Sequence, residues 1–298
     1  MWDSQEMTVR NNMRPCPAVR HRDGSPEPAD LVLIVEEPFM IRIDEVPYSV
    51  VMRTPGDEVF HAAGFCLAEG IIDCRDDIKA IYHCPRLEQN VVDIRLTPER
   101  RKRIPDVLER RGFVSQTSCG ICGKQMIEEM FQKVTPLDDD FKVSADNILL
   151  CISALSEHQE CYQATRGSHA ALVLDARLKA IAFAEDVGRH NALDKSIGKA
   201  LMNRQLSNTR IVVLSSRVSH ELVQKAARAK VPMIVSYARP TSLAVQMARD
   251  LDMTLAFPDT DSGLVVLGNK NRITASRPGP EIGRTSWETS GTERTLLD

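Results

Sequence analysis

The chain has 298 residues, 43% of them hydrophobic and 27% charged, with a formal net charge of −3. That is enough apolar mass for one large globular domain or two of ordinary size, and the slight acidity argues against general nucleic-acid binding. No stretch approaches the roughly 20 apolar residues of a membrane span, and the polar, Pro-rich start from Met1 to Asp30 has no apolar core of the kind a secretory signal needs.

In chain order, residues 1–28, with Pro15, Pro17, Pro26 and Pro28 among charges, read as a disordered tail. Alternating and β-rich runs then predict strands at Leu31–Glu36, Phe39–Val46 and Tyr48–Arg53, a helix from Asp57 to Glu69, strands at Ile78–His83 and Val91–Leu96, and a helix over Pro105–Arg111. Residues 29–115 thus form an expected α+β domain, followed by a cysteine loop and helix over 116–135. From 136 to 272 strands and helices alternate more regularly. Strands are expected at Ala171–Asp175, Leu178–Glu185, Arg210–Ser215, Met233–Ser236, Met253–Ala256 and Gly263–Gly268. Helices are expected at Ala145–Cys161, Asn191–Arg204, His220–Ala229 and Ser242–Asp250. Such alternation predicts a layered α/β sheet with helices on its faces. Residues 273–298, rich in Ser, Thr and Gly, read as a second disordered tail.

The chemistry concentrates first at Cys119-Gly120-Ile121-Cys122-Gly123. Just beyond it Met126, Ile127, Met130, Phe131 and Val134 share one stripe at helical spacing, so both thiols sit in the loop feeding a predicted helix N-terminus. Unpaired N–H groups there, with Lys124 beside them, favour a thiolate, and the glycines let a bulky partner approach the sulfur. A Cys-x-x-Cys pair allows a redox disulfide, half of a zinc site or a persulfide relay. Zinc needs four ligands, and the best remaining pair, His158 and Cys161, lies in an expected helix. A thioredoxin-like pair would follow an early strand, whereas this one is mid-chain. The other cysteines, Cys16, Cys66, Cys74, Cys84, Cys151 and Cys161, are diluted through the sequence, as in a reducing cytoplasm with most thiols buried.

Four polar clusters fall at expected strand ends or helix starts, where open α/β sheets place ligands. They are Arg166-Gly167-Ser168-His169, Glu185-Asp186-Val187-Gly188-Arg189-His190-Asn191, Ser215-Ser216-Arg217-Val218-Ser219-His220-Glu221 and Arg239-Pro240-Thr241-Ser242. Guanidiniums, hydroxyls and helix N-termini gathered on one edge suit an anionic, phosphate-bearing ligand. Each cluster also has a plainer reading. Ser219, Thr241 and Ser242 can be simple caps, Asp186 and Arg189 a structural ion pair, and His169 and His190 satisfied buried histidines.

The run Arg53-Thr54-Pro55-Gly56-Asp57, with Ala63-Gly64-Phe65, Glu69-Gly70-Ile71, the Cys119–Lys124 loop, Glu185–Ala192 with Asp194-Lys195, and Ser216-Arg217-x-Ser219-x-Glu221, resembles the FdhD/NarQ family of formate dehydrogenase accessory proteins from about Leu31 to Gly268. The resemblance implies a cytoplasmic sulfurtransferase that takes sulfur from a cysteine desulfurase. It passes that sulfur to the molybdenum bis-guanine-dinucleotide cofactor, a bound substrate rather than a resident metal, destined for the catalytic subunit of formate dehydrogenase. It further implies a homodimer and a cytidine-deaminase-like fold for the second half, without the zinc signature of the deaminases. Cys119 matches the family's persulfide position and Cys122 its helper. Arg166, His169, Asp186, Arg189, His190, Asn191, Ser215, Arg217 and Ser219 form the expected cofactor edge. One departure stands out. Where relatives carry an Arg- and Gly-containing cofactor loop, Phe257-Pro258-Asp259-Thr260-Asp261-Ser262-Gly263 has two acids and no Arg, which predicts either a loop that points away from the cofactor or weaker binding of its pyrophosphate. A non-catalytic cofactor chaperone and a zinc-stabilised interaction module remain the alternatives.

Overall fold

A computed structural model describes residues 12–83, 90–109, 134–259 and 263–274. The chain opens on a correction, because part of the expected N-terminal tail is folded. Strands β1 (Met13–Arg22) and β2 (Ser25–Ile34) pair over ten rungs as an antiparallel hairpin. Asp23 and Gly24 between them have φ of 52° and 80°, the left-handed pair that a two-residue hairpin turn requires. The prolines stand in a two-stranded ribbon, where each strand keeps a free side and needs only half its N–H groups.

Next come β3 (Glu37–Ile43), β4 (Val46–Arg53), helix α1 (Glu58–Ala68), β5 (Ile78–Tyr82), β6 (Val91–Leu96) and the short helices α2 (Pro98–Arg103) and α3 (Pro105–Glu109). The sheet order is β4-β3-β6-β5. Helix α2 had not been expected, although Thr97 caps it by accepting from the Arg100 N–H and Pro98 opens it. Strand β7 (Val143–Ser144) leads into α4 (Ala145–Glu157) and α5 (Glu160–Thr165), two helices where one from Ala145 to Cys161 was expected. The break at His158 and Gln159 turns the second helix so that Glu185 accepts from the N–H groups of Cys161 and Tyr162, at 2.8 and 2.9 Å.

The second half continues with β8 (His169–Asp175), β9 (Ala180–Asp186), α6 (Arg189–Met202), β10 (Thr209–Leu214), α7 (His220–Arg228), β11 (Met233–Ser236), α8 (Ser242–Asp250), β12 (Thr254–Pro258), β13 (Leu264–Gly268) and β14 (Ile273–Thr274). Strand β14 pairs in parallel with β7, so Ile273 and Thr274, placed in the expected C-terminal tail, belong to the fold. The main sheet runs β13-β12-β11-β10-β8-β9, with β10, β11 and β12 parallel and the other pairings antiparallel. Alternate residues of one strand enter different cores. Val212 and Leu214 join the helical layer of α1, α6, α7 and α8, while Ile211 and Val213 pack with Ile148, Cys151 and Leu155 of α4. The result is the expected layered α/β architecture. The expected α+β region is not a separate hydrophobic unit, since Phe39, Ile41, Val92 and Ile94 share a core with Leu193, Ile197 and Val212.

Helices α1 and α6 cross in backbone contact. A Cβ on Gly64 would stand 1.9 Å from the Asp194 carbonyl oxygen, and one on Gly198 would stand 1.8 Å from that of Phe60. Only residues without a side chain allow this approach. It brings the segment after β4 against the start of α6, where the polar clusters lie.

Candidate functional site

Sheet register puts the expected clusters on one edge. His169, at the start of β8, is opposite Asp186 at the end of β9. The Ser215 N–H donates to the Ala170 carbonyl at 3.1 Å, and the Ala170 N–H returns a bond to Ser215 Oγ at 2.8 Å. The Tyr237 N–H reaches the Leu214 carbonyl, and the Thr241 N–H that of Val218, stitching together the loops after β10 and β11. Phe257, Pro258 and Asp259 leave β12 at the same carboxyl-terminal edge. This is where parallel strands leave a ligand crevice, with the N-terminal ends of α6, α7 and α8 turned to it.

The predicted residues play different parts there. Arg166 and Arg217 are exposed, and His169, Arg189, His190, Ser215, Ser219 and Pro258 are half-buried. Arg166 closes α5 with a φ of 56° and lies over the Tyr162 ring at 5.3 Å. Burial holds the His169 imidazole below its ordinary proton affinity, and the neighbouring Arg189 guanidinium pushes the same way. His190 Nε2 lies 2.7 Å from Glu221 Oε2. Contact with His190, opposed by partial burial, holds the Glu221 carboxyl down to about 2. Thr241 is a plain cap, accepting from the Ala244 N–H at 3.3 Å. Ser219 is not: its hydroxyl is buried without a partner at the start of α7. Asp259 is exposed, and its N–H donates to the Gly263 carbonyl at 2.8 Å. Thr260, Asp261, Ser262, Cys119 and Cys122 lie outside the described residues.

Two residues of the expected cofactor edge, Asp186 and Asn191, form its foundation. Asp186 is fully buried. One carboxylate oxygen accepts from the Thr54 N–H at 3.0 Å and pairs with Lys195 Nζ at 2.7 Å. The other accepts from the Gly188 N–H and Asn191 Nδ2, at 2.8 and 2.9 Å. Asn191 also donates to the Met52 carbonyl and Lys195 to the Thr54 carbonyl, each at 2.7 Å. These bonds clamp the β4–α1 segment onto the start of α6. Sequence reasoning placed Lys195 in a motif without seeing its partner, because the pair is completed only when residues 54 and 186 meet.

Further buried polar groups continue inward. Asp194 binds Lys225 through both oxygens, at 2.9 and 2.8 Å, and burial pushes its carboxyl up against the pull of that lysine. Arg53 is buried over the Phe39 ring, bonded to Asn90 at 2.7 Å and Glu58 at 3.0 Å. His61 stacks on the same Phe39 ring with centroids 5.2 Å apart, and neither ring nitrogen has a sound hydrogen bond. Burial, then Lys195, Lys225 and Arg53, drive its proton affinity well below the ordinary value, keeping it neutral.

The charge left on the edge is positive. Asp186 is matched by Lys195, Glu221 lies against His190 Nε2, and Glu185 is occupied by two backbone N–H groups and the Ser168 hydroxyl. Among the described residues no carboxylate pairs with Arg189, Arg217 or Arg239. Three guanidiniums around three helix N-termini can hold a phosphate-bearing anion. The buried thiols offer the opposite of a reactive cysteine. Burial raises Cys161, pushes Cys151 up to about 12 and drives Cys66 well above its ordinary value.

Fold and site together define a layered α/β protein with a basic strand-end edge resting on a buried ionic floor. The chain belongs to the FdhD/NarQ family, which it matches over residues 34–274. It is 35% identical over 265 residues to the sulfur carrier protein FdhD of Streptomyces coelicolor, across 86% of this chain and 93% of that protein. To the sulfur carrier protein FdhD of Mycobacterium tuberculosis it is 36% identical over 255 residues, across 81% and 91%. In fold it is similar to the crystal structure of a protein assigned as a formate dehydrogenase accessory protein from Desulfotalea psychrophila. That match has a TM-score of 0.70 at 24% identity and covers 88% of this chain and 99% of the other. Among the described residues no helix is long and apolar enough to cross a membrane.

Proposed function

We propose that this protein is a sulfur carrier that accepts sulfur as a persulfide on Cys119 from a cysteine desulfurase. It passes that sulfur to the molybdenum bis-guanine-dinucleotide cofactor of formate dehydrogenase, working as a cytoplasmic homodimer. The observation that carries this reading is the basic strand-end edge, whose Arg189, Arg217 and Arg239 suit the phosphates of a guanine dinucleotide. Family membership supports it, because the named relatives are sulfur carrier proteins. In the loading step the Cys119 thiolate attacks the outer sulfur of the donor persulfide, and the donor cysteine leaves as a thiolate. One S–S bond replaces another without net oxidation. For release, the Cys122 thiolate attacks Cys119 Sγ and expels hydrosulfide at the bound cofactor, and a dithiol reductant reopens the resulting disulfide.

Intact-mass spectrometry after incubation with a desulfurase and cysteine tests the reading. The expected result is one added sulfur mass on the wild type and none on Cys119→Ala, with both proteins folded. Normal loading of the variant overturns the assignment to Cys119. No loading of the wild type, with guanine-nucleotide binding intact, favours the non-catalytic cofactor chaperone.

A further inference from the structure

The β1–β2 hairpin is a two-stranded ribbon of ten rungs, about 33 Å long at 3.3 Å per residue. Two strands alone are marginal in water, so such an arm needs a face covered. Its register sorts the side chains onto two faces. Ile34, Val32, Asp30 and all four prolines fall on one, and Leu33, Leu31, Cys16, Ala18 and Ala29 on the other. The first face turns toward its own body, because a Cβ on Gly167 would stand 2.9 Å from Ile34 Cγ2. The second turns away. There Leu31 and Leu33 are exposed, and the rungs Cys16–Leu31 and Ala18–Ala29 carry no charge.

The edges of the ribbon are closed to further strands. Pro15 and Pro17 on β1, and Pro26 and Pro28 on β2, share one alternation, and in an intact ladder their missing N–H groups are those that would point outward. Whatever covers the arm therefore covers it face-on.

A second apolar face is open on the same chain. On the side of the β4-β3-β6-β5 sheet away from the buried Phe39 and Ile41, Met52 lies across from Pro38, Val50 across from Met40, and Met40 beside Val91. Met52, Val50 and Pro38 are exposed. The chain's own arm does not reach them. The Val35 N–H donates to the Asn12 carbonyl at 2.9 Å and Arg14 pairs with Glu37 at 3.8 Å, holding the root of the arm beside Gly167.

Area selects the occupant. Two strands about 4.8 Å apart make a ribbon about 10 Å wide, so one face of the arm presents about 330 Å². Laid on a different protein, it would bury about 660 Å² in total, well short of the roughly 1,200 Å² at which specific interfaces begin, whereas two arms exchanged between two copies bury about 1,300 Å². We propose that a second copy of this chain covers the arm, each protomer laying its Leu31–Leu33 face on the Val50–Met52 face of its partner. The proposal rests on the homodimer of the reading above and names the surface that forms it.

The test uses the full-length chain. A benzophenone amino acid at position 31 is illuminated in a mixture of isotopically light and heavy chains, and the cross-linked peptides are mapped by mass. The expected product joins position 31 to residues 38–52 of the other chain, in mixed isotope pairs. In analytical ultracentrifugation, Leu31→Glu with Leu33→Glu should weaken dimerisation by at least about tenfold, and adding Val50→Lys should recover part of that loss, because the opposite charges meet only if the two faces do. Absence of a cross-link between chains, or a dimer of unchanged affinity in the glutamate variant, overturns the arm exchange and leaves the homodimer standing. Weakened dimerisation that Val50→Lys does not recover overturns the pairing of the two faces. A monomeric wild type overturns the exchange and the homodimer together, while sulfur uptake on Cys119 is read separately by intact mass.

Discussion

One added methyl group where α1 and α6 cross tests the packing that assembles the crevice. In Gly64→Ala the new carbon would stand 1.9 Å from the Asp194 carbonyl oxygen, and in Gly198→Ala 1.8 Å from that of Phe60. Contact begins to be comfortable at 3.4 Å, so the helices must part by about 1.5 Å. The obstructing atoms belong to backbone and cannot swing aside, which puts the overpacking penalty at the upper end of its range, about 3 kcal/mol or more. Alanine recovers about 1 kcal/mol of helix propensity over glycine. The net expectation is a loss of about 2 kcal/mol or more for each variant, read as a lower urea midpoint at unchanged m-value. Because one separation makes room for both methyls, the double variant should lose less than the sum of the two. Alanine variants as stable as the wild type, or more so, would refute the backbone crossing and leave only the propensity gain.

Asp186→Ala strands Lys195 in the interior and takes the acceptor from Thr54, Gly188 and Asn191, so it should lower stability by about 3–5 kcal/mol in urea titration; a change within about 1 kcal/mol would contradict the ionic floor. Arg217→Ala, on an exposed side chain, should leave stability within about 0.5 kcal/mol but weaken GDP binding by about 1.5–3 kcal/mol in calorimetry, and equal affinity for GDP would remove Arg217 from the anion site. His61 is held neutral in the fold, whereas in the unfolded chain it takes up a proton below its ordinary value of 6.5. Its contribution to stability is therefore complete above that pH and is lost on acidification by up to about 1.4 kcal/mol per pH unit, a slope that His61→Phe should remove; an unchanged slope between pH 6 and 5 would show that His61 is not held neutral.

Local patterns were enough to announce much of this protein. Period-two runs marked β8 to β13, the 3.6-residue stripes marked α6, α7 and α8, and the polar clusters at the ends of those runs fell on one sheet edge, because in alternating α/β chains successive strand ends turn toward the same side. The β1–β2 hairpin has a local mark too, Asp23-Gly24, set among prolines and charges that read as a disordered tail. What the tertiary structure alone decided is which polar residues face the crevice and which lie beneath it. Asp186 and Arg189 stand three positions apart at a strand end and look alike as ligand-binding groups. Thr54, from 132 residues earlier, closes over Asp186 and leaves Arg189 half open. Likewise nothing local pairs Asp194 with Lys225, or leaves His61 neutral beside Arg53. Charge in a protein interior is governed by which distant groups exclude water from it and which supply the opposite sign, and those neighbours are chosen by packing, here by the close crossing of α1 and α6 at Gly64 and Gly198.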